Sequence, residues 1–256
     1  MKHGDFTELA KFYVDRPGYS LEVLKMIRDH IMMEQGKRDI LVADVGAGTG
    51  KLTENLAQIG LTGYAVEPND AMRNEGIKLF QSDTSFQWIK GSAEVTNLQD
   101  HCVDWILMGS SFHWADAPRA MAEFHRILKA GGFFTAIWNP RNIEANELHK
   151  EIEKIVYSQV PEMKRVSSGG KITTEEMQQK MCETDLFGDI VFIEATYCDR
   201  MTKERYMNIW KSVNDIQVQA GEEGFQRILK GIDERLEEMN EIEVPYLARA
   251  WTVRAK

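Results

Sequence analysis

Cysteine is scarce in this chain: Cys102, Cys182 and Cys198 are the only three among 256 residues. An odd count with no CxxC pair argues against both a disulfide framework and a thiolate zinc site. No stretch of about 18 uninterrupted apolar residues occurs, so no membrane-spanning helix is expected. The first residues, Met1-Lys-His-Gly-Asp-Phe-Thr-Glu8, lack the apolar core of a secretory signal, which makes the cytoplasm the expected location. The six histidines include no HExxH and no spacing suited to a helical metal pair, so metal-free chemistry is expected. Runs of lysine and arginine are absent too. With Lys plus Arg at 31 against Asp plus Glu at 40, the net charge is −9, and such a chain repels polyanions. The expected partner is a small molecule, neither nucleic acid nor membrane, and the protein is expected to act as a monomer or homodimer.

What is present is a repeating pattern. From residue 40 to 138, short apolar runs alternate with helical patterns, the signature of βαβ units and a mostly parallel sheet. Strands are expected at 40–45, 61–66, 86–89, 103–108 and 133–138. Helices are expected after the glycine cluster at 46–50, over 70–80 and over 117–129, the last stopped by Gly131-Gly132. Beyond Asn139-Pro140 the pattern turns helical: 145–159, a Gly169-Gly170 loop, and a helix opened by a capping box at Thr173-x-x-Glu176. This reads as a helical cap, residues 140–185, inserted after the fifth strand. Residues 1–139 and 186–256 then form the main domain. Ile190 to Tyr197 alternates as a strand, Phe225 to Met239 traces one helix face, and Val244 to Val253 reads as a closing strand.

The chemistry concentrates at strand ends. Val42-Ala-Asp-Val-Gly-Ala-Gly-Thr-Gly50 sets Gly46, Gly48 and Gly50 between a buried strand and a helix N-terminus, where glycine permits positive φ and close approach of a ligand to the backbone. The dinucleotide fingerprint G-x-G-x-x-G needs glycine where Lys51 stands, and the P-loop needs one more residue between its glycines. The segment resembles motif I of the class I S-adenosylmethionine-dependent methyltransferases, with Asp44 on its acidic position, and the wider chain resembles the ubiquinone and trans-aconitate methyltransferase branch.

That resemblance implies an α/β fold: a Rossmann-like, doubly wound, mostly parallel seven-stranded sheet with an antiparallel last strand. It also implies a cofactor site. Ala47 and Thr49 complete the glycine loop, and Glu67, in Val66-Glu67-Pro68-Asn69, stands where a carboxylate accepts both ribose hydroxyls. Pro68 and Met72 border it. Lys90-Gly-Ser92-Ala93-Glu94 is similar to the family's adenine contact, and His125 to Gly132 to its closing motif. Phe12-Tyr13-Val-Asp-Arg16-Pro-Gly-Tyr19 resembles the segment that folds over the cofactor, where Tyr13 or Tyr19 would shield the sulfonium and Arg16 would pair the cofactor carboxylate.

At the end of the fourth strand stand Gly109, Ser110, Ser111, Phe112, His113 and Trp114, in place of the Asn-Pro-Pro-Tyr of base-amino methyltransferases. Phe-His-Trp resembles the small-molecule branch and makes His113 the candidate catalytic residue, with an unperturbed imidazole pKa of about 6.5 suited to taking a proton. Candidates to line the acceptor site are Trp138, Asn139, His149, Tyr157, Lys164, Arg165, Tyr206 and Trp210, with Lys171 as a further cap charge. The expected activity is methyl transfer from S-adenosylmethionine to an O, N or C acceptor on a small molecule. The alternatives are another S-adenosylmethionine-using transferase, disfavoured by Ser110 and Ser111 where an aminopropyl transferase carries an acid, or a non-catalytic cofactor-binding module.

Overall fold

The computed structural model describes residues 15–164 and 172–256. Tyr13, Arg165 and Lys171 lie outside these residues. Seven strands form one sheet: β1 Leu41–Val45, β2 Thr62–Val66, β3 Phe86–Ile89, β4 Val103–Gly109, β5 Leu128–Trp138, β6 Phe187–Thr202 and β7 Glu241–Ala255. Their order is β3-β2-β1-β4-β5-β7-β6. β1 pairs in parallel with β2 and β4, β2 with β3, and β4 with β5, whereas β7 runs antiparallel to β5. The chain winds outward from β1 and then from β4, so the strand order reverses between these two. In open α/β sheets, ligands bind outside the carboxyl ends of the strands at such a switch point.

The helices are α1 Leu21–Gln35, α2 Lys51–Gln58, α3 Asp70–Leu79, α4 Ala117–Ile127, α5 Glu147–Gln159, α6 Thr174–Cys182, α7 Lys203–Lys211 and α8 Asn214–Arg235. None of the described helices is long and apolar enough to cross a membrane. Local sequence explains most of their ends. Asn69 accepts from the N–H groups of Ala71 and Met72 to start α3, Asp116 caps α4 with Pro118 in its first turn, and Thr173 and Glu176 form the expected capping box on α6. The expected glycine stop of α4 is corrected. The helix ends at Ile127, because Leu128 already pairs with Val103 and the pairing resumes only at Trp105 with Phe133. The intervening residues bulge out of β5, and Gly131, at φ +68°, serves that bulge.

The described residues divide into two compact units, one of residues 18–139, 172–195 and 248–256, the other of residues 15–17, 140–164 and 196–247. In the sheet unit, Ile106, Met108, Phe124, Phe134 and Trp251 lie in one buried cluster that Met177 and Met181 of α6 join. In the helical unit, Ile152 and Val156 of α5 cluster with Ile209 and Trp210 of α7 and with Ile228 and Ile232 of α8. The units divide between Asn139 and Pro140 and again between Ala195 and Thr196, and not at 185. The α6 methionines are buried with the sheet, and the apolar faces of α7 and α8 are buried with α5.

Candidate active site

The turn after β1 is glycine-rich for two separable reasons. Gly46, Gly48 and Gly50 have φ of +72°, +60° and +90°, a region that costs any L side chain. A Cβ on Gly46 would lie 2.8 Å from Ser111 Oγ, and one on Gly50 would lie 2.9 Å from Phe80 Cε2, so neighbours already fill those spaces. Beside Gly48 the nearest atom is the Met72 methyl, at 3.3 Å from the same ideal Cβ. Neighbours and positive φ together hold Gly46 and Gly50 to glycine, and at Gly48 the left-handed φ does so, with the flexible end of Met72 close by.

The same loop holds an acid. Glu67 follows the last residue of β2, and its Oε2 accepts the Gly48 N–H at 2.8 Å while Oε1 accepts the Asn69 N–H at 2.8 Å. Gly46 and Ala47 donate to the Val66 carbonyl, tying the loop to the end of β2, and Arg73 donates to the Glu67 carbonyl. Burial raises the Glu67 pKa, opposed by the two N–H donors and by the Arg73 charge. A carboxylate offers about four acceptor sites, so two remain for outside donors, in an orientation the backbone fixes. Deeper in the same unit, Asp44 is fully buried, accepts the Thr53 hydroxyl at 2.6 Å through Oδ2, and leaves Oδ1 without a hydrogen-bond partner among the described residues. Burial pushes its pKa up to about 7, moderated by the Thr53 hydroxyl and reinforced by the charge of Glu67.

The remaining expected cofactor contacts fall at neighbouring strand ends. Ala47 and Thr49 of the loop, Met72 beside Gly48 and Ala93 after β3 are buried. After β3, Ser92 Oγ accepts from the Val95 N–H, and Glu94 accepts from the Asp116 N–H at 2.9 Å, which ties this turn to the start of α4. A Cβ on Gly91 would lie 2.5 Å from the Thr96 carbonyl, so the turn has no room there. Gly109 ends β4, where a Cβ would strike the Tyr19 hydroxyl at 2.6 Å. Tyr19 is buried and donates to Ser110 Oγ at 3.0 Å, and Ser110 takes a left-handed φ of +52°. Arg16, in the helical unit, donates to Ser212 Oγ and to the Ser212 carbonyl, both at 2.9 Å.

His113 lies in a 3-10 turn, Phe112–Trp114, directly after β4. Its ring is 4.7 Å from that of Trp114 and 6.2 Å from that of Trp138 at the end of β5. Both imidazole nitrogens, and Trp138 Nε1, are buried without hydrogen-bond partners among the described residues. Burying polar groups without partners is costly, so their clustering at the strand ends is a mark of a binding site. Burial and then the nearby Lys180 charge hold the His113 pKa down at about 4. The imidazole is therefore neutral near pH 7, well below the unperturbed value that its sequence position suggested.

Some acceptor candidates come together and others do not. His149, Tyr206 and Trp210 meet in the helical unit, where His149 Nδ1 lies 3.1 Å from the Tyr206 hydroxyl. Tyr157 is exposed, Asn139 donates to the Gly18 carbonyl, and Lys164 is joined through its backbone to Gln219. Sequence reasoning missed Lys180 beside His113, Ser111 against Gly46, and Arg141 over the Trp210 ring. For Ser111 a signal existed, since it too follows the carboxyl end of β4. The other two are set by helix placement.

Residues 43–136 match a family described as a methyltransferase domain. An uncharacterized methyltransferase of Mycobacterium tuberculosis is 32% identical over 164 residues, covering 64% of this chain and 63% of that protein. The match thus spans less than two thirds of the mycobacterial protein. An uncharacterized methyltransferase of Schizosaccharomyces pombe is 26% identical over 224 residues, 84% of this chain and 82% of its own length. Among solved structures, a chain from Anaeromyxobacter dehalogenans, described provisionally as a type II methyltransferase, superposes with a TM-score of 0.65 at 16% identity. It covers 93% of this chain and 97% of its own, a likeness of fold. In its glycine loop, its sheet topology and these relatives, the chain is similar to the class I S-adenosylmethionine-dependent methyltransferases.

Proposed function

We propose that this protein transfers the methyl group of S-adenosylmethionine to an oxygen, nitrogen or carbon atom of a small molecule. The observation that carries the reading is the pairing of Glu67 with the Gly48 N–H, within a loop whose three glycines all take positive φ. The residues present fit the cofactor. Glu67 would accept the ribose hydroxyls, the loop from Gly46 to Gly50 would approach the cofactor along its backbone, and Ser92, Ala93 and Glu94 would border the adenine. Bound there, the cofactor supplies a methyl on a sulfonium, whose direct displacement disperses charge and needs no metal.

The chain's own contribution is then orientation and dryness. Phe112 and Trp138 are buried at the carboxyl ends of β4 and β5, which lowers the local dielectric and favours a charge-dispersing displacement. A neutral imidazole with both nitrogens open can accept a proton shared by the acceptor or donate to it, and so hold the acceptor in line. The depressed pKa favours that orienting role over full proton abstraction. The net charge of −9 together with Gly109-Ser-Ser-Phe112 supports a small molecule over nucleic acid.

The test is to incubate the protein with methyl-labelled S-adenosylmethionine and, separately, small-molecule extract, RNA, DNA and protein. Label is expected in the small-molecule fraction. Label confined to a polymer would overturn the acceptor class, and failure of the cofactor and its demethylated product to bind would overturn the reading as a whole.

A further inference from the structure

β4 ends at Gly109, and His113 follows in the 3-10 turn Phe112–Trp114. Between them the chain passes through Ser110, whose φ of +52° lies in the left-handed region, unfavourable for an L side chain. A serine keeps such a conformation when its surroundings fix it. Its N–H donates to the Ile137 carbonyl of β5 at 2.8 Å, and its Oγ accepts the Tyr19 hydroxyl at 3.0 Å. The next residue is tied as well. Ser111 Oγ donates to the Val45 carbonyl of β1 at 3.4 Å, and the Ser111 carbonyl accepts the Trp114 N–H at 2.9 Å, closing the turn around His113.

Tyr19 is itself held. Its N–H donates to Asn55 Oδ1 at 2.6 Å, the Gly18 carbonyl before it accepts Asn139 Nδ2 at 3.0 Å, and its side chain is buried. Gly109 lacks the Cβ that would stand 2.6 Å from the Tyr19 hydroxyl, so the end of β4 leaves space for this contact. The shielding role that the sequence resemblance implies for Tyr19 needs only the aromatic face. The observed contact uses the other end of the side chain, a hydroxyl directed at a turn residue just ahead of His113. Both imidazole nitrogens lack hydrogen-bond partners among the described residues, so the direction of the ring is set by this turn and by the neighbouring rings of Trp114 and Trp138.

We propose that Tyr19 is a positioning residue for the methyl acceptor: through Ser110, its hydroxyl holds the turn after β4 in the conformation that fixes the place of the His113 imidazole. Without that hydroxyl, Ser110 keeps an unfavourable φ with one restraint fewer, and the turn opens more often. The kinetic consequence rests on the methyl-transfer reading above, whereas the effect on the turn does not.

Tyr19→Phe tests the proposal, because it keeps the buried ring and removes only the hydroxyl: shielding predicts no change, positioning a loss. The first measurement is carbethoxylation of the histidines by diethyl pyrocarbonate at neutral pH, read by peptide mass spectrometry. The reagent acylates an accessible neutral imidazole nitrogen, and both nitrogens of His113 are buried. His113 is expected to react about tenfold faster in Tyr19→Phe, the scale of one lost hydrogen bond acting on a local opening, while the buried His149 of the helical unit keeps its wild-type rate. Ser110→Ala should accelerate His113 to a similar extent and the double variant no further, because both changes remove the same bond. With an acceptor identified, Tyr19→Phe should lower kcat by about tenfold and leave S-adenosylmethionine affinity unchanged. A wild-type His113 rate in Tyr19→Phe would overturn the proposal, as would additive effects in the double variant, a loss confined to cofactor affinity, or an equal rise at His149 that marks general loosening. If Tyr19→Phe does not fold, the His113 rate in Ser110→Ala decides. Absence of methyl transfer in the wild-type protein would remove the proposed function and leave the carbethoxylation result standing.

Discussion

The Glu67 carboxylate accepts the backbone N–H of Gly48 at 2.8 Å, so the acid at the end of β2 is aimed by the very loop that follows β1. Neither residue could be placed without the other. The loop would lose a fixed acceptor, and the buried acid would lose one of its two backbone donors. This mutual positioning is the basis of the first prediction.

S-adenosylmethionine and its demethylated product are expected to raise the melting temperature, as any ligand selective for the native state does. Glu67→Ala should weaken both by roughly 10- to 100-fold, matching the loss of a charge-assisted hydrogen bond worth about 1.5 to 3 kcal/mol. Gly48→Val should abolish binding, since it puts a branched side chain at a left-handed φ in the loop, against the Met72 methyl. Calorimetry on folded variants checks this, and undiminished affinity in both would move the cofactor elsewhere.

Acceptor handling should separate from cofactor binding at His113. His113→Ala is expected to lower turnover by about 10², the scale set by small misalignment of reacting groups, with cofactor affinity unchanged. His113→Gln, which retains hydrogen-bonding capacity, should recover part of that loss. Because burial holds the imidazole pKa at about 4, its contribution should not titrate between pH 6 and 8. A turnover loss in His113→Gln that disappears once the acceptor is deprotonated would identify a base instead.

Asp44 predicts a pH signature in stability. Its folded pKa, about 7, lies above the ordinary 3.8, so the folded state binds a proton that the unfolded state releases between these values. The contribution is fully present below the unfolded pKa and is lost as pH rises through the folded one. Measured as wild type minus Asp44→Asn by urea denaturation without cofactor, stability should fall from about pH 4 to about pH 7, by an amount on the order of 4 kcal/mol, and level off above. A flat difference would show that Asp44 is ionised in the native protein throughout.

Association with RNA or DNA should be weak and non-specific. With a net charge of −9 and no basic run, the protein offers few phosphate contacts. Filter binding or fluorescence anisotropy across a salt series checks this. Tight binding that falls steeply with the logarithm of salt concentration would reverse the expected acceptor class.

The sequence by itself determined the elements whose signals are local. The strands β1 and β4 are short buried apolar runs, Thr173 and Glu176 specify a helix start through their own side chains, and three alternate glycines demand a turn of positive φ. With these come the strand ends that carry Gly48, Glu67 and His113. Other features required the folded chain. Whether α6 joined the sheet or the helices depended on where Met177 and Met181 found partners, and whether the last turn of α4 persisted depended on Leu128 pairing with Val103. The fall of the His113 pKa and the meeting of Arg141 with Trp210 likewise come from groups far apart in sequence. Desolvation and long-range contact are properties of the surroundings, and a residue's surroundings are set only when distant segments pack around it.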